Sequence, residues 1–332
     1  MSHAETLVVS HDDVVRLLPM AACIDLMGET LASLARGEAL LPLRTVLRLP
    51  GQRNMFAAMP AVLGPSIGAK VITVFPDNEG TPFESHIGVV LYFENTNGRL
   101  LAIIDASSVT AIRTAAVSGL ATRLLANPNA RTLAILGSGV QAMTHLEAMC
   151  AVRGFTTVRV WSRHLPNAEA FAERARAQHG RTVEVVPTPE AAVRGADVIC
   201  TTTSSREPIV QSEWVAPGAH INAVGASQAT ARELDSETVR RARLYVDRRE
   251  SVMAEAGDFL IPREEGVVDN THVLGELGEV VLGRVAGRTG PGDVTLFKSL
   301  GIAIEDVASA RFIYERAREL GTGTWVAIGG MR

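Results

Sequence analysis

The segment Thr132-Leu-Ala-Ile-Leu-Gly137-Ser138-Gly139-Val140-Gln141-Ala142 carries the most specific chemistry in the chain. An apolar run ends on two glycines one residue apart, and helix-forming residues follow. The pattern reads as a strand, a tight turn and a helix start. The glycines let the backbone turn sharply and approach a pyrophosphate, while the helix N-terminus offers unpaired N–H groups and the positive end of its dipole. Ala142 stands where a third glycine often sits, which the pattern permits. Because a strand precedes the turn and a helix follows, it predicts dinucleotide binding through Gly137, Ser138, Gly139, Val140 and Gln141. A helix through Val152 then leads to a second strand, 157–161. At the end of that strand an Asp or Glu would bond the ribose 2′-hydroxyl of NAD. Here the chain reads Ser162-Arg163-His164 instead. A guanidinium pairs with a 2′-phosphate that a carboxylate would repel, so NADP(H) is the expected cofactor, with NAD(H) as the alternative.

A second group of residues is cationic. Arg44 opens a strand-like run, Lys70 lies inside Gly68-Ala-Lys-Val-Ile-Thr-Val-Phe, and Arg113 sits in Ala111-Ile-Arg-Thr-Ala-Ala. Lys70 and Arg113 have apolar neighbours, and burying a cation is costly unless an anion meets it. No carboxylate adjacent in sequence partners either one, so a substrate carboxylate is expected to be the missing anion. Glu305 and Asp306, near the start of the last helix, are accounted for by that helix's dipole. His145, His164, His179, His220 and His272 show no metal-ligand spacing and read as structural or surface residues; no metal site is expected.

The elements that must position these groups fall into two textures. The segment 12–37 reads as one helix, with Val14, Val15, Leu18, Ile24, Met27 and Leu31 on its apolar stripe. Strand-like runs follow near 44–49, 54–59, 67–75, 87–93 and 100–104. Turn signals separate them, at Pro50-Gly51, Asp77-Asn-Glu-Gly80 and Asn95-Thr-Asn-Gly98. They predict a mostly antiparallel sheet with one flanking helix, after which an Ala-rich helix over 107–126 bridges onward. From Arg131 the rhythm alternates strand and helix, with strands near 132–136, 157–161, 183–186, 197–201, 219–224 and 243–247. That alternation predicts a parallel, doubly wound sheet. Ligands bind at strand C-terminal ends in such sheets, so Thr201, Thr202 and Thr203 are expected to line the cofactor crevice. The run from Val294 leads into a helix ending near Glu319, whose stripe (Ile304, Val307, Ala308, Phe312, Tyr314) needs a surface to cover and is expected to find it on the first domain.

Composition bounds the rest. A chain of 332 residues is long for one core and suggests two domains. Apolar residues make up 47% and charged residues 20%, as in a soluble globular protein. A net charge of −4 gives no electrostatic case for nucleic acid or an anionic membrane. Cys23, Cys150 and Cys200 lie far apart and read as reduced core thiols of a cytoplasmic protein. Met1-Ser-His-Ala-Glu lacks a basic region followed by an apolar core, so no signal peptide is expected. No apolar run reaches the roughly 20 residues needed to span a bilayer.

Several segments together resemble the ornithine cyclodeaminase and mu-crystallin family over nearly the whole chain. They are Arg113-Thr-Ala-Ala-Val-Ser, Gly137-Ser-Gly-Val-Gln-Ala, Val160-Trp-Ser-Arg, Ile221-Asn-Ala-Val-Gly-Ala-Ser, Arg232-Glu-Leu-Asp, Gly275-Glu-Leu-Gly-Glu-Val and Phe297-Lys-Ser-Leu-Gly. The resemblance implies an α/β protein with a Rossmann-type doubly wound parallel sheet over 116–304. To this it adds a discontinuous α+β substrate-binding and dimerisation domain from 1–115 and 305–332, and a homodimer. It implies that Arg44, Lys70 and Arg113 bind a carboxylate. It also places Ser85, His86, Glu255 and Ser299 near substrate or cofactor, with Val224 and Ser227 on the cofactor side. Ornithine cyclodeaminase and the related archaeal alanine dehydrogenase carry an aspartate after the Val-Gly-Gly or Gly-Ala segment, where this chain has Ser227. Serine cannot act as a carboxylate base toward a substrate amine. The ketimine reductase branch has Gly-Ala-Ser at this point.

The expected activity is therefore NAD(P)H-dependent reduction of cyclic ketimine carboxylates, such as 1-pyrroline-2-carboxylate or 1-piperideine-2-carboxylate, to L-proline or L-pipecolate. Lys70, or a water held by His86 or Glu255, would supply the proton. The alternatives are an alanine-type or N-substituted amino-acid dehydrogenase acting on linear imines of 2-oxo acids, an ornithine cyclodeaminase, and a non-enzymatic NADPH- or small-ligand-binding crystallin-like protein.

Overall fold

The computed structural model describes residues 5–78 and 81–328. The expectation for the N-terminal residues 1–4 and half of the Asp77–Gly80 turn (Glu79 and Gly80) lie outside them. In chain order the elements are β1 (Glu5–Val9), α1 (His11–Leu17), α2 (Met20–Ala35), β2 (Ala39–Leu40), β3 (Thr45–Arg48), β4 (Met55–Leu63), β5 (Ser66–Val74), β6 (His86–Glu94), β7 (Leu100–Asp105) and α3 (Ala106–Leu125). Then come β8 (Thr132–Leu136), α4 (Val140–Val152), β9 (Thr157–Trp161), α5 (Leu165–His179), β10 (Glu184–Val185), α6 (Pro189–Val193), β11 (Val198–Thr201), β12 (His220–Ala223), α7 (Ser236–Arg241) and β13 (Arg243–Val246). The chain closes with α8 (Arg249–Glu255), α9 (Gly257–Glu264), β14 (Val273–Glu276), α10 (Leu277–Val281), β15 (Thr295–Lys298), α11 (Ala303–Leu320) and β16 (Thr324–Ala327). They form two compact units, residues 1–113 with 302–332 and residues 114–301.

The first unit is built on one sheet of order β16-β1-β7-β6-β5-β4-β2, with β3 also pairing β4. All pairings are antiparallel except β1 with β7. Alternation sets its faces. Gly68 and Lys70 of β5 are buried on the side covered by α11, whereas Ile67, Ala69 and Val71 point the other way and are half-buried. The helix expected over 12–37 is two helices, bent by 78°. Pro19 has no N–H to continue the first helix, and it pushes Leu18 out of helical conformation (φ −117°, ψ 71°) before serving as N-cap of α2. The flanking layer also includes α11, which packs on β4, β5, β6 and α2. On α11, Ile304, Val307, Ala308 and Tyr314 are buried as the stripe requires, but Ile313 is fully buried where Phe312 is only half-buried. β1 and β16 were not foreseen, because each pairs with a partner at the opposite end of the chain.

The second unit is a wholly parallel sheet of order β10-β9-β8-β11-β12-β15-β13-β14. Strands buried on both faces read as apolar runs, and Leu133–Leu136 and Val198–Thr201 are buried throughout. β15 escaped that reading because Thr295 and Lys298 interrupt its apolar pattern, although all four of its residues are buried. β14 is a short edge strand beside β13 and was likewise not foreseen. Among the described residues no single helix is long and apolar enough to cross a membrane.

Candidate functional site

In the second unit the chain enters the glycine turn from β8, whose neighbours β9 and β11 lie on opposite sides of it. The C-terminal end of β8 is therefore the point where the winding reverses, which is where such sheets bind ligands. Gly137 has φ +118°, open to glycine but rarely to other residues. A Cβ there would meet the Thr202 carbonyl oxygen at 2.6 Å. A Cβ on Gly139, by contrast, would meet nothing within 4 Å and would fill the space before α4. Gly139 caps α4 without any side-chain hydrogen bond, so the first N–H groups of the helix have no side-chain acceptor. Ser138 Oγ donates to Ser162 Oγ at 3.0 Å, tying the turn to the end of β9. Val140 is exposed, Gln141 Oε1 is a buried oxygen without a partner among the described residues, and Ala142 is fully buried against the sheet. Open space before a helix N-terminus, small residues and an orphaned buried acceptor fit a bound dinucleotide. Arg163 is exposed at the end of β9.

The neighbouring strand ends are held by a buried acidic network that the sequence reading did not identify. Glu233 Oε2 accepts from Thr201 Oγ1 at 2.7 Å and from the Gly225 N–H at 2.8 Å. Its Oε1 accepts from the Thr203 N–H at 2.8 Å and from Thr203 Oγ1 at 2.6 Å. Burial and the Asp258 charge push its carboxyl upward against these donors. Asp258 accepts from the Glu233 N–H (2.8 Å) and Lys298 Nζ (2.9 Å), and Lys298 also donates to the Ala226 carbonyl (2.7 Å). The threonine hydroxyls expected to line the crevice are thus engaged by protein: Thr201 and Thr203 by Glu233, and Thr202 by the Leu136 carbonyl. Val224 and Ser299 are held by backbone bonds to Thr201 and Ala223, while Ser227 is exposed beyond β12. The only sequence signal for this network was that Glu233 and Lys298 occur in segments that carry the family resemblance.

Four of the five residues expected to be catalytic, Arg44, Lys70, His86 and Arg113, belong to the first unit; Glu255, at the end of α8, belongs to the second. Lys70 is 1% exposed and Arg113 4%. Their anions are not missing, and here the sequence expectation is corrected. Asp306 Oδ1 accepts from Lys70 Nζ and from Arg113 Nε, each at 3.0 Å, and Glu305 Oε2 accepts from Arg113 Nη1 at 2.9 Å. Lys70 also donates to Thr110 Oγ1 at 3.3 Å. The two acids do more than favour a helix dipole: α11 crosses β5 and brings together residues 236 positions apart. An acidic pair inside the apolar run Ile302-Ala-Ile-Glu-Asp-Val-Ala was the complementary signal.

The electrostatics match the geometry. Burial first, and then the Arg113 charge, lower Lys70 to about 8 against the pull of Asp306; Arg44 adds a smaller lowering. Burial alone would raise the Asp306 carboxyl, but Arg113 and Lys70 together hold it below the usual carboxylate range. Arg44 lies half-buried just before β3. His86 reaches solvent at the start of β6, with Nδ1 3.0 Å from Ser85 Oγ. The protein mass around its ring and the Lys70 charge lower its pKa, so it is neutral near pH 7. Among the described residues no group of three His, Cys, Asp or Glu could hold a metal ion.

A glycine turn at the reversal point of a parallel sheet, joined in one chain to a mostly antiparallel unit with a buried ion cluster, defines a Rossmann-type nucleotide-binding protein with a second α+β unit. The chain belongs to the ornithine cyclodeaminase/mu-crystallin family, whose model matches residues 4–321. It is 42% identical to the mouse (Mus musculus) ketimine reductase mu-crystallin over 84% of this chain and 86% of that protein. Its fold is similar to that of Thermococcus litoralis Delta(1)-pyrroline-2-carboxylate reductase in complex with NADH and L-proline, with a TM-score of 0.94 and 37% identity, covering 97% of this chain and all of that one. It is also similar to an archaeal alanine dehydrogenase dimer with bound NAD, at a TM-score of 0.92 and 32% identity, covering 98% of this chain and all of the other.

Proposed function

We propose that the protein reduces cyclic ketimine carboxylates, 1-pyrroline-2-carboxylate and 1-piperideine-2-carboxylate, to L-proline and L-pipecolate with a nicotinamide cofactor. The observation that carries this reading is the likeness, over essentially both whole chains, to a reductase held with NADH and L-proline. When bound at the Gly137–Gln141 turn, the nicotinamide cofactor supplies a hydride. The chain's own residues then have two tasks. Arg44 fixes the substrate carboxylate, with Arg113 adding positive charge from its place between Asp306 and Glu305, and fixing reactants in this way contributes on the order of 7–11 kcal/mol toward a barrier. Lys70 supplies the proton that the imine nitrogen needs. Two of its three N–H groups are directed at Thr110 and Asp306, and its ammonium is acidic enough, at about 8, to give up a proton near neutral pH. His86 is neutral there and serves as a hydrogen-bond partner.

Ser162 and Arg163, with no carboxylate at the end of β9, favour NADPH over NADH. One sheet row of the first unit, Leu47–Phe56–Thr73–Ile87, runs across four strands on the face opposite α11, with Leu47, Phe56 and Ile87 exposed. An apolar face of this kind favours a homodimer. Three unpaired cysteines favour a cytoplasmic location.

An assay of 1-pyrroline-2-carboxylate and 1-piperideine-2-carboxylate with NADPH and with NADH tests the reading, with L-proline and L-pipecolate as the products. Lys70→Met is expected to abolish turnover and to leave cofactor binding, followed by nicotinamide fluorescence, unchanged. Normal turnover in that variant would remove Lys70 from the chemistry. The likeness to an alanine dehydrogenase favours a second reading, reduction of the linear imine of pyruvate and ammonia; faster turnover of that pair than of either cyclic imine would select it. Cyclodeamination is disfavoured by Ser227. NADPH binding without turnover of any imine would leave a ligand-binding role.

A further inference from the structure

We propose that Asp306 is the positioning residue of this site: its carboxylate, buried between Lys70 and Arg113, fixes the direction of both cations and holds Lys70 in its charged form. The inference rests on the reductase reading above and deepens it. Asp306 is 0% exposed, and one of its oxygens accepts from both cations, from β5 on one side and α3 on the other. Glu305 is also 0% exposed and holds the far end of Arg113, through Nη1. Two cations, one from β5 and one from α3, thus lie together with two adjacent carboxylates of α11. Apolar side chains of similar volume pack in such places at no loss of stability, so stability alone gives little reason for a buried ion cluster. A requirement for charge in a fixed place gives one.

The groups that face Lys70 make Asp306 decisive. From α3 come Thr110 and Arg113, from the segment before β3 comes Arg44, from β6 comes His86, and from α11 comes Asp306. Thr110 and the neutral His86 carry no charge, and Arg113 and Arg44 repel an ammonium. Glu305 neutralises Arg113 from its other end. Asp306 is the carboxylate bonded to Lys70 itself. The sign follows from this arrangement. A protonated Lys70 is required for turnover, so activity falls as pH rises through the Lys70 ionisation. Removing the Asp306 charge makes the ammonium easier to deprotonate, and that alkaline limb moves to lower pH.

The experiment is the pH profile of kcat/KM for 1-pyrroline-2-carboxylate in the full-length wild type, in Asp306→Asn and in Asp306→Glu, with cofactor Kd measured alongside. In Asp306→Asn the alkaline limb is expected to shift acidward by about 1–3 pH units, the size of effect that a close opposite charge exerts, while the cofactor Kd stays within about twofold. In Asp306→Glu, which retains the charge, the limb is expected at its wild-type position whatever the loss in rate; this variant carries the test if the amide variant does not fold. A limb unmoved in Asp306→Asn, or displaced equally in both variants, would mean that packing and not charge is at stake, and overturns the assignment. A wild type that turns over no cyclic imine overturns the reductase reading instead.

Discussion

The Arg163 guanidinium lies exposed at the end of β9, where a 2′-phosphate, if the proposed NADPH preference holds, would gain a bidentate pair without the protein having to bury the arginine beforehand. Arg163→Ala is therefore expected to leave the fold intact and to cost NADPH about 1.5–3 kcal/mol, roughly 10- to 150-fold in kcat/KM, with NADH little changed. Steady-state kinetics with both cofactors measures this, and an equal loss with both would place the phosphate elsewhere. Lys70 presents the opposite case. Burial makes its ammonium acidic, and the Asp306 carboxylate bonded to it opposes that shift. A lysine in the middle of an apolar strand pattern was visible in the sequence as an anomaly. The sequence did not show which anion answered it, because the partner comes from a helix at the far end of the chain.

At the scale of elements, the strand ends of the parallel sheet are locked by side chains from the loops that follow them. Gly225 shows how tightly: a Cβ there would meet the Thr203 carbonyl at 2.1 Å and Glu233 Oε1 at 2.6 Å. Gly225→Ala is expected to destabilise the protein by about 1–3 kcal/mol, as overpacking does, and to weaken cofactor binding by displacing the loop between Val224 and Ser227. Urea unfolding and cofactor titration together measure it; full stability with full affinity would mean that this loop yields. The strands expected at 132–136 and 197–201 were legible because strands buried on both faces read as apolar runs, whereas β9 alternates buried and half-buried residues. β15 was not, since Lys298 satisfies its charge on Asp258 and Ala226, and no local pattern signals such a partner. Pro19 shows the reverse, a break that proline chemistry explains and that the apolar stripe obscured.

For the whole molecule, the exposed row of Leu47, Phe56 and Ile87 leads to an expectation about assembly. Sedimentation equilibrium is expected to give twice the mass of the chain, and Phe56→Glu combined with Ile87→Glu is expected to give monomers, because burying two unpaired carboxylates opposes association. A monomeric wild type would sink this expectation. The sequence by itself determined the alternation of strand and helix after Arg131, the glycine turn with its Ser162-Arg163 companion, and the cations that a core would not bury without cause. These depend on local patterns, namely period, turn chemistry and the cost of a charge among apolar neighbours, all of which can be read within about ten residues. Tertiary structure alone decided that β16 pairs with β1 in the first unit, that Asp306 and Glu305 meet Lys70 and Arg113, and that Glu233 ties two strand ends together. Each of these joins residues distant in sequence, and a buried charge finds its partner through packing, which no local pattern encodes.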